Sequence, residues 1–138
     1  MSASDVRERA ILDAEFGASA LSPPATWYIG LSTTTPGDDG SGFTEPAGGS
    51  YARVAKTNNA TNFPAATTTS GVSEKKNGTA ITFPNPTATW GLITHVGFFS
   101  ASTGGTPLHW FALTNPIQVN SGNTPVEFAI NALAISAD

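Results

Sequence analysis

Short runs of alternating apolar residues, each bounded by glycine, proline or asparagine, fill most of the chain. In the run 26–32, Trp27, Ile29 and Leu31 share one side, which is the period of a half-buried strand. The run 92–99 has apolar residues on both sides and is predicted to be a central strand. Because such strands must bury their apolar sides against one another, we predict an all-β fold, an antiparallel β-sandwich or jelly roll of seven to eight strands. A small barrel is the alternative.

The other predicted strands follow the same alternation. They cover residues 51–55, 79–83, 108–113 and 117–119, together with a last segment at 126–135 whose apolar phase switches near Asn131 or Ala132, where we expect a bulge. The residues at 102–105 predict a hairpin turn, and Asn115 with Pro116 predicts a second turn.

One helix is predicted at the N-terminus, over residues 4–16, with Ser2 or Ser4 as its cap and Gly17 in the left-handed position that ends it. Its apolar residues form two separated stripes, Val6, Ala10 and Ala14 in one and Leu12 and Phe16 in the other. Two stripes indicate two contacts, one with the parent domain and one beyond it. A single helix packed loosely on its own domain is the alternative. The chain 1–138 is therefore predicted to be a single domain, with a helical arm at 1–17 and a β-sandwich at 26–136.

The charge pattern excludes several functional classes. The net charge is −4 with no run of lysine or arginine, which argues against binding to a nucleic-acid backbone. No stretch of 18 apolar residues exists, and the N-terminus lacks a classical signal sequence, so we expect neither a membrane partner nor export. There is no cysteine for a disulfide or a thiolate metal site. Two Asn-X-Thr triplets, at 59–61 and 77–79, are expected to be ordinary turn residues.

A glycine-rich acidic loop, GDDGSGFTEP at 37–46, raises the question of a calcium site. Calcium needs six to eight converging oxygens, and Asp38, Asp39 and Glu45 do not follow the alternating spacing of a calcium-binding loop. We therefore predict an exposed structural loop whose acids are surface charges.

No catalytic or cofactor site is predicted. His95 and His109 lie in predicted strands without a third metal ligand, so we interpret them as structural. No G-x-S-x-G motif supports a nucleophile. Arg53 is the lone cation of its predicted strand, and we expect it to pair with a carboxylate or with a carbonyl at an interface. The aromatic residues Trp27, Trp90, Trp110 and Tyr51 leave a carbohydrate-binding module as a less favoured hypothesis.

Three motifs carry a resemblance to a known family: GLSTTTP at 30–36, GSYAR at 49–53, and WG at 90–91 followed by THVGFF at 94–99. Together with the order of the segments, they make nearly the whole chain resemble small virion proteins of tailed bacteriophages, labelled tail fibre, head fibre or capsid decoration (cement) proteins. Ser50, Ser100 and Phe111 depart from the pattern of that family.

The resemblance implies a structural protein without enzymatic activity or a cofactor, made in the host cytoplasm and located in the virion. The leading hypothesis is a decoration protein that binds the major capsid protein on the outer capsid surface and stabilises the head. The alternative is a tail fibre or tail-tip component. The resemblance also implies a homotrimer, and the residues expected at the assembly interface are Val6, Ala10, Ala14, Leu12, Phe16 and Arg53.

Overall fold

A computed structural model describes residues 2–136 of the chain. Within them are one helix and ten short strands. These are β1 (Ser2–Ala3), α1 (Asp5–Gly17), β2 (Thr26–Ser32), β3 (Val54–Thr57), β4 (Thr67–Thr69), β5 (Val72–Lys76), β6 (Ile81–Thr82), β7 (Gly91–Phe99), β8 (His109–Val119), β9 (Glu127–Phe128) and β10 (Ala134–Ser136). The prediction of an all-β protein with one N-terminal helix is confirmed, although ten strands are present in the described residues where seven to eight were expected.

The strands form three antiparallel sheets in a sandwich-like arrangement. The largest sheet has the order β1-β8-β7-β2-β3, a second has the order β10-β5-β4, and β6 pairs with β9. Their inward side chains form one core, which contains Ile29, Leu31, Val96 and Phe98 from the large sheet and Ile81, Phe83, Val126, Phe128 and Leu133 from the other segments. The smaller sheets therefore bury the apolar side that the large sheet cannot bury alone.

Strand β7 is the centre of the large sheet, as its two-sided apolar pattern predicted. It pairs with β2 through Ile29 and Phe98, and with β8 along most of its length. Ile93 and Val96 are completely buried, so β7 is covered on its inner side.

The predicted turn at Asn115 and Pro116 is wrong, because β8 continues through it. Ile93 pairs with Ile117 while His95 pairs with Ala112, so residues 113–116 lie opposite Thr94 alone. A bulge of this kind accommodates a proline, which has no amide hydrogen for the ladder.

The predicted strand at 51–55 begins three residues later, at Val54. Tyr51 is held in a turn by a hydrogen bond from its amide to the Gly48 carbonyl, and its ring packs edge-on against Trp90 at 5.2 Å. Packing of this aromatic ring, which the alternation did not reveal, draws Tyr51 out of the sheet.

Segment 126–135 is two strands in two different sheets. Asn131, where a bulge was predicted, has a left-handed backbone with φ of 67°, and it lies in the turn that separates β9 from β10. The phase switch in the sequence therefore marks a full change of sheet.

The ends of α1 differ in detail from the prediction. Ser4 is the cap residue, but its side chain makes no capping hydrogen bond. Gly17 is the last helical residue, and Ala18 takes the left-handed conformation with φ of 54°, so the assignment of that position to Gly17 is wrong. The Ala18 amide donates to the Asp13 carbonyl, and this closes the helix end.

Candidate assembly surface

The N-terminal helix is attached to the sheet at its first turn. The Ser4 amide donates to the Leu108 carbonyl at 2.8 Å, and the Asp5 amide donates to the Asp38 carbonyl at 3.3 Å. Ser4 and Arg7 are both buried, and Ala10 and Ala14 are half-buried. Because Arg7, Ala10 and Ala14 are spaced by three and four residues, they form the side of α1 that faces the domain.

The predicted stripe of Leu12 and Phe16 is exposed, and the other predicted stripe is exposed at Val6. Val6 is 60% exposed, Leu12 58% and Phe16 84%. Phe16 lies on the side of the helix opposite Arg7, away from the domain that anchors the helix. Leu12 borders the space between α1 and strands β5 and β10 of its own domain. The stripe of Val6, Ala10 and Ala14 is only partly covered by the parent domain, contrary to a reading in which one whole stripe is buried.

Two adjoining clefts lie beside the helix. The aromatic cleft, of about 520 Å³, is lined by Trp27, Phe63, Phe98 and Ile135 among others. The helix cleft, of about 610 Å³, lies between α1 and strands β5 and β10. Lys75, His109 and Ile135 line both clefts.

Lys75 is the cation of this surface. Its ammonium group donates to the Phe63 carbonyl at 3.1 Å and to the Pro64 carbonyl at 2.8 Å. Among residues 2–136, no carboxylate lies within 4 Å of it, since the ion pairs there are Arg53 with Glu45 and Lys76 with Glu74. The aromatic cleft therefore carries one positive charge and no acidic lining residue.

Arg53 lies elsewhere, in a buried polar cluster that we call the loop clamp (Glu45, Tyr51, Arg53 and Phe99). Its guanidinium donates to both oxygens of Glu45 and to the Ala101 carbonyl, and it lies 3.4 Å from the centroid of the Phe99 ring. The expected pairing of Arg53 with a carboxylate is confirmed. The Arg53 side chain is only 3% exposed, and its donors bond to Glu45 and Ala101 within the chain. The expected place of Arg53 at an assembly interface stays a prediction.

The loop clamp corrects the interpretation of the acidic loop. Glu45 is not a surface charge, because its Oε1 also accepts the Tyr51 hydroxyl at 2.7 Å. That hydroxyl in turn accepts the Leu31 amide, and burial raises the pKa of Tyr51 far above its usual range. Glu45 thus connects the loop to β2, which holds the loop on the outer side of the large sheet.

Asp38 and Asp39 are exposed, as predicted. Asp39 accepts the Ser41 amide at 2.9 Å, and hydrogen bonds from Ser41 lower the pKa of Asp39. No group of three His, Asp or Glu residues is placed to hold a metal ion within residues 2–136. Asp39 bonds to Ser41, Glu45 bonds to Tyr51 and Arg53, and Asp38 is exposed. The absence of calcium binding stays a prediction.

The two histidines face opposite sides of the large sheet. His109 pairs with Phe98, while His95 pairs with Ala112 and shares its side with Trp110. The Nδ1 atom of His95 lies 2.8 Å from the Thr94 hydroxyl. Burial, with a smaller contribution from the nearby Arg7 charge, lowers the pKa of His109 to about 4. Because the rings of His95 and His109 lie on opposite sides of the sheet, they cannot bind one ligand together.

The aromatic residues considered for sugar binding are placed mainly in packing roles. Trp90 is buried and donates to the Gly49 carbonyl, and Tyr51 belongs to the loop clamp. Trp110 is half-buried, and Trp27 is the one of the four that lines the aromatic cleft. Trp27 packs edge-on against Phe98 and His109.

Sequence reasoning missed the cleft residues Phe63, Lys75 and Ile135. Phe63 and Lys75 lie in the Thr- and Asn-rich stretch before residue 79, whose periodicity is weak. The alternation of Val72, Glu74 and Lys76 against Ser73 and Lys75 carries no apolar side that would have predicted β5. A single phenylalanine in a polar stretch was the available signal for a packed segment.

Within the described residues, no helix combines the length and hydrophobicity needed to cross a bilayer. A protein-family model described as "Podophage GP4 fiber I protein gp80" matches residues 2–136. No curated protein matches the chain.

Proposed function

The chain belongs to the family of podophage GP4 fiber I protein gp80, a family of small phage virion structural proteins, and we propose that within the particle it is a capsid decoration protein. In this role it binds the outer surface of the major capsid protein and stabilises the head. A ligand that binds only the assembled shell stabilises that shell in proportion to its occupancy. The protein acts by binding and not by catalysis.

The exposed apolar surface around α1 is the observation that carries this proposal. Among residues 3–136, eight large apolar side chains are exposed, and five of them lie between residues 6 and 21, namely Val6, Ile11, Leu12, Phe16 and Leu21. Apolar groups concentrated in one region mark a protein contact surface more often than single exposed residues do. A particle protein needs such a surface for its neighbours.

Self-assembly as a homotrimer is part of the proposal. The helix presents Phe16 away from its own domain and leaves Leu12 58% exposed, which suits a contact with another copy. A closed threefold arrangement fits the local threefold positions of a capsid lattice. Sedimentation equilibrium of the purified protein measures this state, and a twofold or strictly monomeric arrangement on the particle would contradict the trimer.

Immunogold labelling of intact particles tests the location. We expect gold over the whole head, together with a copy number in the hundreds from quantitative gels of purified virions. Label confined to the tail would reject the decoration role while leaving the virion role intact. Labelling of particles with antibody that has been preabsorbed with excess purified protein serves as the specificity control.

A tail fibre or tail-tip component is the second candidate. The description of the matching family contains the word "fiber", which is compatible with this candidate. In that case the same surface around α1 would join copies along or around a fibre, and a copy number of a few tens or fewer would accompany the tail label.

A further inference from the structure

We propose that the C-terminal turn of α1 from one copy docks in the aromatic cleft of a second copy, with Leu12 and Phe16 as the inserted side chains. The inference rests on the proposed self-assembly and names the surface that performs it. It does not depend on where the protein lies in the virion.

Shape and polarity match on the two sides of this contact. Phe16 is 84% exposed, and the cleft that would receive it has aromatic walls from Trp27, Phe63 and Phe98. Its volume of about 520 Å³ is within the range of pockets that enclose small ligands, so it has room for the ring of Phe16 and the side chain of Leu12. Buried aromatic anchors in such pockets carry much of the affinity of protein interfaces.

Charge complementarity selects a second copy as the occupant. Asp13 and Glu15 flank Leu12 and Phe16, and the last turn of α1 has no basic residue. Acids at this end are unfavourable for the helix itself, because the helix dipole is negative there. Lys75 has no carboxylate within 4 Å among residues 2–136, and the acids near it, Glu8 and Glu74, line the adjoining helix cleft. Asp13 and Glu15 of another copy would supply the carboxylates that the aromatic cleft lacks.

The contact must form between copies and not within one. Phe16 points away from the side of α1 that Arg7 anchors to the parent domain, and Leu12 is 58% exposed although it borders the helix cleft of its own chain. A contact in which helix meets cleft joins two different surfaces, so it is heterologous and closes as a ring when the rotation permits. Three copies related in this way would give the proposed trimer.

Engineered cysteine pairs test the contact directly, because the natural chain has no cysteine. Phe16→Cys protein is mixed with Ala60→Cys protein, since Ala60 lines the aromatic cleft, and the mixture is oxidised. We expect a covalent dimer in which mass spectrometry joins residues 16 and 60. The matched control replaces Ala60→Cys by Thr103→Cys in the exposed turn at 102–105, where we expect no such product.

Charge reversal gives an independent measurement. The double variant Asp13→Lys/Glu15→Lys should weaken self-association by about tenfold in sedimentation, the size of effect expected for one favourable charge pair. Its thermal midpoint should stay equal or rise, since bases suit the helix end. Adding Lys75→Glu to that variant should restore part of the association, which a general loss of folding could not do.

The effect of Phe16→Ser on self-association and the 16–60 cross-link decide whether the docking proposal holds. Phe16→Ser should weaken association by at least about thirtyfold, as for an interface hot spot. A monomer at every concentration, or an oligomer indifferent to Phe16→Ser without the 16–60 cross-link, overturns the docking proposal. Specific binding of a glycan that requires Trp27, in a protein that does not self-associate, would assign the aromatic cleft to sugar binding. That result would also overturn the docking proposal. Immunogold location changes none of these results, so the virion proposal can fail or stand separately.

Discussion

Arg53, whose side chain is buried, and Glu45, which is half-buried, form a two-pronged ion pair with Nε to Oε1 at 2.9 Å and Nη2 to Oε2 at 2.8 Å. The guanidinium also stacks on the ring of Phe99, and Glu45 accepts the Tyr51 hydroxyl. A long glycine-rich loop is thereby fixed to the sheet through one carboxylate. The consequences of removing each member follow from this geometry.

We predict that Glu45→Ala lowers the free energy of unfolding by about 3 kcal/mol, because it leaves the buried Arg53 without its counter-charge. Urea unfolding measures the change. The matched control is the double variant Glu45→Leu/Arg53→Met, which should be closer to the parent than Glu45→Ala, since no buried charge remains unpaired. Equal losses in the single and double variants would show that the ion pair is not the source of the effect.

The exposed acids of the same loop should behave differently. We expect Asp38→Ala/Asp39→Ala to change the free energy of unfolding by less than about 0.5 kcal/mol, as for surface substitutions away from special features. Added calcium should not shift the thermal midpoint of the parent. A calcium-dependent rise in the parent that the double variant loses would contradict the structural reading of the loop.

Asn77→Ala should be among the most destabilising substitutions in the chain, although the sequence marks residues 77–79 as a turn. Asn77 is 1% exposed. Its side-chain Nδ2 donates to the Ala129 and Thr79 carbonyls, and its Oδ1 accepts a hydrogen bond from the Leu133 backbone amide at 2.9 Å. The truncation leaves several buried polar groups without hydrogen-bond partners, and each such group costs about 1–3 kcal/mol. We therefore expect the free energy of unfolding to fall by about 3 kcal/mol.

Thermal and urea unfolding measure the effect of Asn77→Ala. Asn85→Ala is the control, because Asn85 is exposed and its truncation should be nearly neutral. Efficient glycosylation at Asn77 in a secreting host, without loss of stability, would contradict the buried placement.

Stability should decrease as the pH falls from about 6.5 to about 4, in part because of His109. Its pKa is lowered from 6.5 to about 4 in the folded protein, chiefly by burial. The unfolded chain therefore binds more protons in this window, so protonation favours unfolding and the stabilisation is fully present only above about pH 6.5. At about 1.4 kcal/mol per pKa unit the shift corresponds to about 3.5 kcal/mol. Because His109 is only half-buried, solvent screening reduces the expected contribution to on the order of 2–3 kcal/mol.

A series of urea titrations between pH 4 and pH 7 measures this dependence. His109→Gln should flatten the slope, whereas His95→Gln should leave the His109 contribution in place. Burial also lowers the pKa of His95, so a smaller change in slope is expected from that variant. An unchanged slope in His109→Gln would place the proton uptake on other groups.

Local pattern determined the parts of this protein in which neighbours along the chain carry the information. The alternation of Trp27, Ile29 and Leu31 predicted β2 with its correct bounds, and the two-sided run at 92–99 predicted the central strand. The turn at 102–105 and the N-terminal helix followed from residue types at fixed spacing. The motifs at 30–36, 49–53 and 90–99 sufficed for the family.

Tertiary structure alone decided which polar groups are buried and which apolar groups are exposed. Glu45 lies in a glycine-rich loop and Asn77 in a Thr- and Asn-rich stretch, both typical of exposed turns. Contacts with distant residues, which include Arg53 for Glu45 and Leu133 for Asn77, leave Glu45 half-buried and Asn77 buried. Strand β8 continues through Pro116 because a bulge opposite Thr94 accommodates the missing donor. Periodicity reports which side of a segment is apolar, but the partner of that side comes from distant residues. The exposure of Phe16 and the aromatic cleft are of this second kind, because both depend on how segments far apart in the chain pack together.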